Sequence, residues 1–63
     1  MCLGTVYIES GGERREVMQD VASMEAENGG YLAIDLFGRR KFIPGKIKSL
    51  DLVDKHSVLL EKS

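Results

Sequence analysis

Glycine punctuates this chain at intervals that suit short strands. Ser10-Gly11-Gly12-Glu13 is a hairpin turn signal, and Asn28-Gly29-Gly30 is a second. Gly38 follows, then Pro44-Gly45, where proline cannot donate to an interior ladder. The segments between are β-branched and aromatic more than helical. Val6 and Ile8 alternate with Leu3, Thr5 and Tyr7 as a first strand. A turn centred on Gly11-Gly12 sets Glu9 opposite Arg14 and Val6 opposite Val17.

Residues 16–27 carry two periods at once. Val17, Val21 and Met24 recur at helical spacing, whereas Ala22, Met24 and Ala26 alternate as in a strand. The hairpin signals on both sides favour the strand. The next segment, residues 31–45, reads as a hairpin turning at Gly38-Arg39. That register sets Leu36 against Lys41 and Ile34 against Ile43, with Leu32, Ile34, Leu36 and Ile43 on the core face. Tyr31, Ala33, Asp35, Phe37, Arg40 and Phe42 fall on the other face, where the two phenylalanines suit packing or a dimer contact. A strand beginning at Ile47 carries Leu50 and Leu52 on one face. Lys55-His56 makes a turn, and Val58-Leu59-Leu60 closes the chain. Residues 1–63 therefore read as one all-β domain, a small antiparallel sheet or barrel.

Size limits what such a domain can do alone. A 63-residue chain buries only about 60% of its unfolded surface, so a metal, a disulfide or self-association usually reinforces it. A single cysteine rules out an internal disulfide and suits a reducing, cytoplasmic setting. No apolar run approaches the roughly 20 residues that span a bilayer, and no export signal is expected. A formal net charge of −1 gives no general attraction for nucleic acid or an anionic membrane.

Enzyme templates do not assemble from one histidine, one cysteine and turn glycines, so no catalytic residues are expected. Cys2 offers different chemistry. The terminal amine of Met1, the deprotonated amide of Cys2 and its thiolate can close two adjacent five-membered chelate rings. Planar N,S donors suit Ni(II) or, in vitro, Cu(II). Two chains about a two-fold axis would complete four positions. His56 is a candidate secondary ligand. The bland alternatives are a small terminal hydrophobe at Cys2 and an exposed turn residue at His56. The cations Arg39, Arg40 and Lys41 beside aromatics allow an RNA-binding module, and equally describe solvated strand ends.

The start Met1-Cys2-Leu3, the glycine hairpin near residue 11, Asp20-Val21 and Asp35-Leu36-Phe37-Gly38 appear in an ordered series. Ile47-Lys48, Asp51-Leu52-Val53-Asp54 and Val58-Leu59-Leu60-Glu61 complete it. In that order these pieces resemble the CooT-like proteins. The resemblance implies a homodimeric Sm/SH3-like β-barrel that binds nickel through the cysteine after the initiator methionine. It further implies a role in maturing a nickel enzyme, carbon monoxide dehydrogenase, with Cys2 as ligand and Met1 as the source of the amine. Members are also labelled as RNA-binding.

Overall fold

The computed structural model describes residues 4–51, 53 and 56–62. They form β1 (Gly4–Ser10), β2 (Glu13–Glu27), β3 (Gly30–Asp35), β4 (Arg40–Pro44), β5 (Lys46–Asp51) and β6 (Ser57–Glu61). All six join one sheet in the order β4-β3-β2-β1-β6-β5. Both glycines of the first turn have positive φ, 60° and 84°, which matches the twist of the strands they join. Glu9 pairs with Arg14 as expected. Further from the turn the ladder slips, and Val6 lies opposite Met18 instead of Val17.

That slip belongs to a bend in β2. Fifteen extended residues would reach roughly 50 Å, yet the longest dimension of the molecule is 31 Å. β2 accommodates the difference near Asp20, a non-glycine residue at φ 54°, with register shifts on both sides. Its first half pairs with β1 and its second with β3. The sheet thus folds across β2. Val6, Val21, Ala33, Ile43 and Leu60 are buried together, with Ile8, Met18, Met24 and Val58 packed against them.

Two sequence expectations are corrected here. The sheet is not closed into a barrel, since β4 and β5 are its two edges and do not pair. Pro44 lacks an N–H, and Arg40, Lys41, Lys46 and Lys48 place like charge on both edges, which opposes closure. Nor is every pairing antiparallel, because β6 runs parallel to β1, with Val6 opposite Val58 and Ile8 opposite Leu60.

The central hairpin also differs from the expected register. Ile34 pairs with Arg40, Leu32 with Phe42 and Tyr31 with Ile43. The shift is odd, so the faces exchange: Ala33 and Asp35 turn inward, while Leu36 is 53% exposed. The cause is the loop. Leu36-Phe37-Gly38-Arg39 form a four-residue connection, with Gly38 at φ 83°, and Asp35 holds it. A buried carboxylate with several donors outweighs the apolar pattern that a two-residue turn would have satisfied. The Leu52 and Lys55 expectations lie outside the described residues.

Candidate functional site

The start of β1 is fastened to the residue before β6. Thr5 N donates to the His56 carbonyl at 3.0 Å. Gly4 passes so close that a Cβ there would sit 3.0 Å from the same oxygen. His56 itself has φ 47°, a left-handed conformation that turns the chain into β6. Beside this junction the core opens into a groove of about 310 Å³. Val21, Met24, Ile47, Leu50, Val58 and His56 contribute to its wall, and among the described residues no Asp, Glu, Lys or Arg does. Ile47 and Leu50 remain about half exposed there, 45% and 53%. Such apolar area on a small domain is suited to being covered.

Of the expected metal ligands, the structure brings His56 next to Gly4 at the groove mouth. Met1 and Cys2 lie outside the described residues. Among the described residues no group of three or more His, Cys, Asp or Glu side chains converges.

The cations expected to form a nucleic-acid patch are separated in role. Arg39 Nε donates to Asp35 Oδ2 at 2.7 Å, and its guanidinium lies 5.3 Å from the centre of the Phe37 ring. Arg40 and Lys41 begin the edge strand β4 and are exposed. Asp35 Oδ1 accepts from Phe37 N at 2.9 Å and Arg39 N at 2.8 Å. Burial, the largest single influence, pushes the Asp35 carboxyl up. The donors of Arg39 and Phe37 together outweigh it and hold the carboxyl below its ordinary 3.8.

On the other side of the sheet, Lys48 Nζ donates to Glu9 Oε2 at 2.5 Å and sits 4.0 Å from Glu61. The hydrogen bond from Lys48 chiefly lowers the Glu9 carboxyl, and the same bond raises the lysine. Sequence reasoning missed both the groove and the role of Asp35. The signal for the latter was present as an aspartate opening a turn that contains glycine.

A family described as "CO dehydrogenase accessory protein CooT" matches residues 1–61. The chain belongs to the CooT family. One relative, an uncharacterized protein of Methanothermobacter thermautotrophicus, is 36% identical over 61 residues, covering 97% of this chain and 89% of that protein. The crystal structure of a candidate CooT from Carboxydothermus hydrogenoformans superposes with a TM-score of 0.87 at 35% identity and covers 98% of each chain. The fold described above is therefore shared with that structure. No helix among the described residues is long and apolar enough to cross a membrane.

Proposed function

We propose that this chain is a nickel-carrying accessory protein for the maturation of carbon monoxide dehydrogenase. It is a binding protein without catalytic residues of its own, and Ni(II) is its cargo. The Cys2 thiolate and amide nitrogen, with the Met1 amine, supply donors from each of two chains, and the paired sets complete a planar site. Two covalent steps separate Cys2 from Gly4, a reach of about 7 Å at most.

The observation that carries the reading is the position of Gly4 in the wall of an uncharged apolar groove. A second copy seated there would bring two N-terminal segments toward one another. Burying Ile47 and Leu50 in that contact would also give a domain of this size the reinforcement it needs. His56 lines the same groove and in this reading adds a secondary donor. The RNA-binding alternative draws less support, because Arg39 is already engaged by Asp35 and covers one face of Phe37.

The experiment is a Ni(II) titration with native mass spectrometry. Wild-type protein is expected to take one Ni(II) per two chains. Cys2→Ser should lose the thiolate-to-nickel absorption, and Leu50→Asp should yield monomers that bind nickel weakly. An unchanged isotherm for Cys2→Ser overturns the site, and one nickel per monomer overturns the shared geometry. Cu(II) binding in vitro does not identify the cargo, since copper outcompetes nickel at most N,S donor sets.

A further inference from the structure

The β3–β4 tip carries more exposed apolar surface than an edge strand requires. Phe37 is 73% exposed and Leu36 53%. Yet the loop is not loosely held. Asp35 N donates to Arg39 O, Leu36 N to Asp20 O and Gly38 N to Asp35 O, at 2.9 to 3.0 Å. Phe37 N and Arg39 N both donate to the Asp35 carboxylate. Every backbone N–H from residue 35 to residue 39 therefore has an acceptor. A buried carboxylate is spent on fixing a loop that presents a phenylalanine to solvent, with Arg39, Arg40 and Lys41 around it. Charged edge protection would account for Arg40 and Lys41, but not for this geometry.

We propose that this tip is a docking prong for a protein partner that offers an apolar pocket rimmed by carboxylates. Fixed aromatic and arginine side chains are the residue types that dominate protein interfaces, and a loop already held in shape loses little entropy on binding. Charge decides between partners. Two copies of this chain meeting tip to tip about a two-fold axis would set Arg40 and Lys41 against their own counterparts, so self-association through the tip is disfavoured. An acidic rim removes that conflict. A stacked nucleic-acid base would compete with the Arg39 guanidinium for the Phe37 ring. The tip is distinct from the apolar groove, which leaves the groove free for a second copy. Choosing carbon monoxide dehydrogenase as the partner to test rests on the function proposed above.

The test is surface-immobilised carbon monoxide dehydrogenase from the source organism, probed with the full-length chain. Phe37→Ser should weaken binding roughly tenfold or more. The double variant Arg40→Glu, Lys41→Glu should slow association at low salt and remove the slowing that added salt causes in the wild type. Both variants should keep the wild-type melting curve, oligomeric state and nickel stoichiometry, because the altered side chains are exposed. Unchanged affinity in both variants overturns the prong, as does failure of the wild-type chain to bind the enzyme. Conversion of an oligomer to monomers by Phe37→Ser would assign the tip to self-association instead. Binding to phosphatidylglycerol vesicles or to single-stranded RNA that is lost in the same variants, with enzyme binding intact, would overturn the protein partner. Cys2→Ser should dock normally, so a failed nickel site and a failed prong give different results.

Discussion

Asp35 and Arg39 are joined at both main chain and side chain: one carboxylate oxygen takes the Arg39 amide at 2.8 Å and the other takes Nε at 2.7 Å. The partners are unequal. The Asp35 side chain is 3% exposed and that of Arg39 is 74% exposed. Removing Arg39's side chain lets water reach one carboxylate oxygen. Removing the carboxylate strips acceptors from two backbone amides at once.

Asp35→Ala should therefore lower the melting temperature more than Arg39→Ala does. Asp35→Asn should fall between wild type and Asp35→Ala, because the amide oxygen still accepts from the backbone. Thermal melts followed by circular dichroism at pH 7 check the order. Equal losses for Asp35→Ala and Arg39→Ala would place the weight on the ion pair.

Stability should decline at both ends of the pH scale for different reasons. The Asp35 and Glu9 carboxyls are held below 3.8 and 4.5, their ordinary values, so their contribution is full above those values. It is lost as pH falls through the lower folded-state values. Lys48 is raised above 10.5, so its contribution is full below that pH and is lost as pH rises through the raised value. Glu9 is 23% exposed and Asp35 3%, so the Glu9–Lys48 pair is the better screened, and 1 M salt should shrink the alkaline effect more than the acid one. Denaturant melts across pH with and without salt read both.

The core tolerates little. Ile43 and Leu60 are essentially inaccessible to solvent. Ile43→Ala or Leu60→Ala should cost about 2–5 kcal/mol, which rivals the whole stability expected of a chain this short. Urea titration should find either variant largely unfolded or close to it, whereas Leu36→Ala, at the exposed tip, should change stability little.

What the sequence made legible follows from where local chemistry decides the outcome. The Gly11-Gly12 turn needs only its own glycines and the Glu9–Arg14 pair, and it forms as read. The strand at residues 13–27 was separable from a helix because hairpin turns flank it. The Leu36 face was misread because two criteria conflict there. Alternation favours Leu32, Ile34 and Leu36 inside, but Asp35 can satisfy the loop only from the inner face. Closure into a barrel was inferred from short turns, the need to hide strand edges and the family resemblance, none of which fixes whether the two edge strands meet. The parallel β1–β6 pairing joins opposite ends of the chain, and no local signal records it. For the candidate site, Cys2 and His56 stand out by residue type. The groove beside His56 depends on Val21, Met24, Leu50 and Val58 meeting across three strands, which no short window of sequence contains.

Gly45 joins the two edge strands at φ 131°, and a Cβ there would sit 2.5 Å from the Glu61 carbonyl. Gly38 also has positive φ but faces open space. Gly45→Ala should therefore destabilise the fold more than Gly38→Ala, whose cost is backbone strain of about 1 kcal/mol. Parallel urea titrations compare them, and a larger loss for Gly38→Ala would contradict the packing at β6.

The parallel pairing of β1 with β6 has a consequence for synthesis. β1 precedes β6 by more than forty residues, so β1 can form its hairpin with β2 before its other neighbour has been made. A product ending before Ser57 would leave β5 without its strand partner and the Ile8 and Val6 side chains without Leu60 and Val58. Chains that lack β6 would therefore expose core side chains to proteases, and addition of that one strand covers them.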